Sequence, residues 1–262
     1  MTFCLGMRVK SGLVGIADTR ITSGNEAITA KKVSIFEDEK SAMFLMTSGL
    51  RSARDKALIY FEELLEEQDK PFDKLYKAVN AFAAQIRRAA SEDQASLEKS
   101  GLQFDTHSLI GGQMAKDHEP KLYLLYPQGN WVEVGQGTPY QIVGAGGYGK
   151  PVLDRTFAFE DSLKFALKVG LLAFDSTRIS ATDVDLPVDV ILYEKDSFKM
   201  VEHRFYMEDL QEISSWWMEK LKENIRGLPS ELIDRIINRL ARPAEVPRIA
   251  LRRSPQGSKN AL

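Results

Sequence analysis

The first fifty residues hold four runs that are apolar at nearly every position, and this constrains the fold more than any other feature. FCLGMRV (3–9) and LVGIADT (13–19) flank Lys10-Ser11-Gly12, while KVSIF (32–36) and AMFLMTS (42–48) flank the polar EDEK. A strand with one face in water alternates apolar and polar residues, so runs without alternation belong to strands covered on both sides. Each short link predicts a hairpin, and Ser23-Gly24-Asn25 gives a turn signal between the two pairs. Sheets buried under other layers are therefore expected.

The period then changes. From Arg51 to about Gln68, residues Ala53, Ala57, Leu58, Phe61, Leu64 and Leu65 follow helical spacing. Pro71 separates this helix from a second, about 72–92, striped by Leu75, Val79, Phe82, Ala83 and Ile86. Strands return at 107–115, 121–126, 131–134 and 140–143, and the glycine-rich GAGGYGKP (144–151) leads to a helix over 161–176. Strands over 188–194 and 199–206 precede helices over 208–225 and 231–241. This order is not the alternation of a parallel α/β fold, and it predicts antiparallel sheets with helices outside.

Composition enters through what it excludes. A chain of 262 residues, 44% hydrophobic, has material for a sizeable core in one large domain or two small ones. Net charge is −2, so nothing pulls the whole chain toward nucleic acid or anionic lipid. No apolar run approaches the roughly 20 residues of a membrane span, and MTFCLGMRVKSG lacks the layout of a secretory signal. A single cysteine, Cys4, leaves no internal disulfide and fits a reducing cytoplasm. His107, His118 and His203 are scattered without metal-ligand spacing. GAGGYG does not meet the spacing of a phosphate-binding loop. A cytoplasmic protein without metal or cofactor is expected. Residues 242–262, where Arg242, Arg248, Arg252, Arg253 and Lys259 face only Glu245, read as a basic disordered tail.

The chemistry begins at Met1-Thr2. Initiator methionine is removed efficiently before a small residue, which would expose Thr2. A terminal threonine joins a hydroxyl nucleophile to an amine whose reference pKa of about 7.7–8.0 lets it take a proton near neutral pH. Thr2 opens directly into an apolar strand, Asp18 ends the partner strand of the same hairpin, and Lys32 begins the next. A lysine there would depress the amine's pKa, with Asp18 orienting it. Ser48-Gly49 stands where the fourth strand runs into a helix, and a backbone N–H there can meet a developing oxyanion.

These motifs carry a resemblance. T-x-C-x-G at the start, GLVGIADTR (12–20), the lysine opening the next strand and MTSG before a long helix resemble the β-type subunits of proteasomes. YGKPVLDR (148–155), AFDSTR with Ser180 beyond it, LPVDV (186–190) and the late helix bearing Trp216 and Trp217 resemble Anbu, the ancestral-β-subunit branch of bacterial proteasome homologues. The resemblance implies an α+β fold, the four-layer αββα sandwich of N-terminal-nucleophile hydrolases. It implies a single domain over 1–241, with extra C-terminal helices from about 208. Thr2 is then nucleophile and base, Asp18 and Lys32 its partners, and Gly49 the oxyanion donor. Asp175 matches an aspartate near the terminal amine, with Ser176 or Ser180. The interval after Asp18 is one residue shorter than expected, so Lys31 competes with Lys32, and Lys32 is preferred. Gly144-Ala145-Gly146-Gly147 stands where proteasome subunits carry a serine. The implied activity is hydrolysis of peptides or amides, with self-assembly into a ring or spiral and no nucleic-acid or membrane partner. A silent assembly or peptide-binding subunit, or a small-molecule amidohydrolase, is the alternative. The substrate pocket is expected near Thr22, Arg51 and Asp55, and the sequence leaves open whether an ATPase partner exists.

Overall fold

A computed structural model describes residues 2–23, 26–67 and 72–240. Met1, Pro71 and the expected tail over 242–262 lie outside the described residues. The chain divides into two compact units, Met1–Trp217 and Met218–Leu262.

In the first unit, β1 (Phe3–Val9) and β2 (Gly12–Asp18) form the expected hairpin, with Cys4 opposite Ala17 and Val9 opposite Gly12. A short hairpin follows, β3 (Arg20–Ser23) with β4 (Glu26–Thr29), and then the pair β5 (Val33–Asp38) and β6 (Ser41–Gly49). Helices α1 (Arg51–Glu67) and α2 (Leu75–Lys99) precede β7 (Thr106–Met114), β8 (Lys121–Leu125), β9 (Trp131–Glu133) and β10 (Tyr140–Gly144). Next come α3 (Lys150–Thr156), α4 (Leu163–Ser180), β11 (Val188–Glu194), β12 (Met200–Phe205) and the start of α5 (Met207–Arg226), whose residues from Met218 on belong to the second unit. One five-stranded sheet runs β10-β1-β2-β11-β12 and the other β5-β6-β7-β8-β9, with every described pairing antiparallel.

Three cores reveal the layers. Along β1, alternation sends Phe3, Leu5, Met7 and Val9 into one core with Ala166, Val169, Ala173 and Phe174 of α4. Cys4 points the other way, into a core where Leu13, Ala17 and Tyr193 of the first sheet meet Phe44, Met46 and Leu109 of the second. On the far face of that second sheet, Met43, Leu45 and Ile110 pack under Phe61 of α1 and Phe82 and Ile86 of α2. The sequence helix–sheet–sheet–helix is thus set by side-chain alternation on strands buried from both sides. The four-layer αββα arrangement of the α+β expectation is present. In the inter-sheet core, the polar Gln113 is met by the Tyr193 hydroxyl, 2.9 Å from its amide oxygen.

In the second unit, α6 (Glu231–Leu240) presents Leu232, Ile233, Ile236, Ile237 and Leu240, all exposed. Among the described residues, no helix is long and apolar enough to cross a membrane, and no group of acidic, histidine and cysteine side chains could hold a metal ion.

Candidate active site

The site is built where three strand ends converge. Thr2 directly precedes β1, whose flanking strands β2 and β10 hold it from both sides. On the β2 side, Asp18 Oδ1 accepts the Phe3 N–H at 2.8 Å. The same oxygen accepts Lys32 Nζ at 2.6 Å, and the lysine's second bond, also 2.6 Å, goes to the Arg20 carbonyl. Asp18 therefore ties the backbone next to Thr2 to the ammonium of Lys32. Both side chains are buried. Burial raises the Asp18 pKa above its ordinary value, opposed by the charge and hydrogen bond of Lys32 and by backbone N–H groups. Lys31 instead points outward to Glu202, 2.7 Å away, so the lysine beside Asp18 is Lys32.

On the β10 side, Gly144 pairs with Phe3 and the Ala145 N–H donates to the Thr2 carbonyl at 2.6 Å. Gly144 has φ +89°, and a Cβ there would stand 1.8 Å from that carbonyl oxygen. Glycine is required for β10 to come this close. Gly49 ends β6 with φ +111°, where a Cβ would meet the Asp105 carbonyl at 1.9 Å. The next residue, Leu50, donates its N–H to that carbonyl at 2.7 Å, and α1 starts at Arg51. The strand thus turns into a helix at Gly49, where backbone N–H groups are left without intrahelical partners.

Thr2, Lys32, Ser48 and Gly49 all line one open cleft of about 480 Å³, and Gly144 closes part of its wall. Four of the expected or neighbouring positions are thereby brought together, with Asp18 directly beneath Lys32. The other three expected positions lie elsewhere. Asp175 on α4 is buried, with one oxygen 2.8 Å from Arg178 Nη2 and the other 2.9 Å from the Ser214 hydroxyl of α5. Ser176 donates to the Leu172 carbonyl at 2.8 Å, and Ser180 is exposed at the end of α4. None of the three lines the cleft.

The cleft also holds residues to which motif reading gave no role at the site: Arg20, Arg54, Asp105 and His107. Arg51, expected nearby, lines it, and Asp55, which does not, bonds both Arg51 and Arg54. The side chain of Thr22 lies outside the description. The spacing of Arg51 and Arg54 on α1 was the available signal, since i and i+3 share a helix face.

Cys4 is the one described thiol, and it is fully buried between the sheets. Burial pushes it up to about 12, partly offset by the charge of Lys32. A thiol held protonated and out of water is inert. Native protein is therefore expected to leave Cys4 unmodified by a thiol-specific chromogenic reagent, and to expose one thiol in denaturant. Rapid reaction without denaturant would show that the sheets part readily at this end.

No protein-family model matches the chain, and no curated protein matches it. Solved structures do match. A (Gly-1) mutant of Anbu from Hyphomicrobium sp. strain MC1 is 30% identical, with a TM-score of 0.80 over 87% of this chain and 99% of that one. Anbu (ancestral β-subunit) from Yersinia bercovieri is 27% identical, with a TM-score of 0.81 over 87% and 98%. A structure described as the helical assembly of the Anbu complex from Pseudomonas aeruginosa is 27% identical, with a TM-score of 0.82 over 87% and 97%.

Proposed function

Since this chain belongs to the Anbu family of ancestral β-subunits, with its proteasome-like fold, we propose that it is an N-terminal threonine hydrolase of peptides or amides. The single observation that supports this most is the bridge from Phe3 N–H through Asp18 to Lys32 on the wall of the cleft that Thr2 lines. Burying a lysine and a carboxylate together costs desolvation that apolar side chains would avoid, so such a pair beside a cleft points to use by the site.

In this reading Met1 is removed and the Thr2 amine becomes free. Thr2 Oγ attacks the substrate carbonyl while the amine takes the hydroxyl proton. The charge of Lys32 keeps that amine unprotonated near neutral pH and favours the developing alkoxide. The Gly49 N–H meets the oxyanion. The amine then gives its proton to the leaving nitrogen, the acyl-threonine ester remains, and water releases the acid. No cofactor or metal takes part. We further propose self-association into a ring or spiral in the cytoplasm, as the helical assembly of the Pseudomonas aeruginosa relative suggests.

A second reading, a catalytically silent assembly subunit, is favoured by two observations. Gly144–Gly147 offers no hydroxyl where proteasome subunits have serine, and Asp175, Ser176 and Ser180 stand apart from the cleft. Hydrolysis of acyl-amines but not of peptides would instead single out a small-molecule amidohydrolase. Intact-mass measurement before and after treatment with a peptidyl β-lactone separates the first two readings. The expected result is a mass lacking methionine, followed by one adduct mapped to Thr2. Retained Met1, or a free Thr2 that takes no adduct, would overturn the hydrolase reading.

A further inference from the structure

The charges on the cleft are not evenly arranged. Arg20, Lys32, Arg51 and Arg54 line it, while Asp105 is the one carboxylate among the described lining residues and is bonded to His107 at 3.0 Å. The acids that balance the cations (Asp18, Asp55 and Asp185) are not among the lining residues. The described lining thus carries four cations against one carboxylate.

Two of the arginines are also under-committed. Asp55 serves both, accepting Arg51 Nε at 3.2 Å on one oxygen and Arg54 Nε at 2.7 Å and Nη2 at 2.6 Å on the other. Among the described residues, both terminal nitrogens of Arg51 and Nη1 of Arg54 have no protein acceptor. The Arg54 side chain is only 12% exposed, so its unused donors are partly withdrawn from water. Its charge also reaches the Cys4 thiol, two residues from Thr2. Among the described lining residues Ile21 is the single large apolar side chain, so a bulky apolar group would find little there to pack on. A guanidinium fork with free N–H groups is matched by a planar carboxylate.

We propose that this cleft selects substrates carrying a carboxylate beside the scissile carbonyl, with Arg51 and Arg54 as the specificity-determining residues. The carboxylate belongs either to an acidic side chain or to the end of a short peptide. A lysine or arginine at the same place meets like charge and is disfavoured. The inference rests on the cleft being the substrate site of the proposed hydrolase.

The test reads binding without turnover, on full-length Thr2→Ala protein. Short peptides, acetylated and amidated at their ends, carry one variable residue (Glu, Gln or Lys), and a fourth peptide has Gln with a free C-terminal carboxylate. Calorimetry or fluorescence anisotropy is expected to show Glu bound at least about tenfold more tightly than Gln, and Lys more weakly than Gln, with the preference shrinking as salt rises. Arg54→Gln or Arg51→Gln is expected to bring the Glu-to-Gln ratio close to one. If Arg54→Gln does not fold, Arg51→Gln, half-exposed, carries the comparison. Tightest binding of the free-carboxylate peptide would support the selection and assign it to a chain end. Equal binding of Glu and Gln, preference for Lys, no binding of any peptide, or an unchanged ratio in the arginine variants would each overturn the proposal. Labelling of Thr2 in the parent alongside such a failure would remove only the specificity. A Glu preference without labelling would remove only the hydrolase.

Discussion

Lys32→Met is expected to destabilise the folded protein by about 3–5 kcal/mol near neutral pH, because it leaves a buried carboxylate with no counter-charge. It should also abolish labelling of Thr2. Asp18 is fully buried, and without Lys32 its carboxylate would keep only backbone N–H groups, foremost that of Phe3. The Asp18→Asn/Lys32→Met double substitution should recover much of the lost stability, since asparagine still offers Phe3 an acceptor and carries no charge. It should recover no labelling, since the ammonium is still missing. That contrast separates a structural ion pair from a functional one. The pH dependence has a definite sign. Asp18 already titrates above its ordinary value of 3.8 because of burial, and Lys32 is the first opposing influence. With Lys32 gone the carboxyl holds its proton to still higher pH. A raised folded-state pKa means the acid's contribution is complete below 3.8 and is lost as pH climbs through the folded value. Urea unfolding of Lys32→Met against the parent should therefore show a smaller deficit at pH 5 than at pH 8. An equal deficit at both, or a double variant as unstable as the single one, would sink this account.

The ion pair was legible in the sequence because strand patterning places it. The largely apolar runs 3–9 and 13–19 on either side of the Lys10-Ser11-Gly12 turn pair as a hairpin, and that register puts Asp18 beside Thr2. The position of Lys32 was harder, because the β3–β4 hairpin between Asp18 and Lys32 is short and largely polar. Only its turn signal could be read, and of that signal Gly24 and Asn25 lie outside the described residues. What chose Lys32 over Lys31 is burial beneath the Arg20 carbonyl, a tertiary fact. The apolar spacing predicts the second helix to about 92, but it runs to Lys99. Its apolar stripe ends at Ala89, and the last turns are held by good helix formers whose side chains meet water. The seven-residue α3 was hidden for the opposite reason, since it is too short to show a period after a glycine-rich run. Asp175 shows where motif matching and geometry part. FDST suited a site aspartate, yet its bonds to Arg178 and Ser214 join α4 to α5, a contact no local pattern predicts. Of the cleft arginines, Arg51 was expected near the pocket and Arg54 follows it at i+3 on one helix face, but charges at a helix start look the same whether they face solvent or a substrate.

The second large effect is expected at Gly144→Ala. The residue has φ +89°, a conformation that costs an L-residue about 1–3 kcal/mol. Strain is the smaller part. The added methyl would lie 1.8 Å from the Thr2 carbonyl oxygen and 2.6 Å from its carbon. Both are backbone atoms, so no rotamer change relieves the contact. Strand β10 must then move off β1, and the Ala145 N–H bond to Thr2 is lost with it. Strain and a missing buried hydrogen bond together predict a loss of at least about 2–4 kcal/mol. The functional loss should be steeper than the loss of stability, because the retreat frees the one residue that must hold its hydroxyl and amine toward the substrate. A shift of 1 Å is enough to lower a rate by about two orders of magnitude. The neighbouring Gly146→Ala is the control. Its methyl would meet only Ile142, at 3.5 Å, an ordinary contact. Thermal unfolding and β-lactone labelling of the two variants decide the matter. Gly146→Ala should match the parent in both, while Gly144→Ala should lose labelling even at temperatures where it remains folded. Full labelling of a folded Gly144→Ala would mean that the close approach of β10 does not position Thr2 at all.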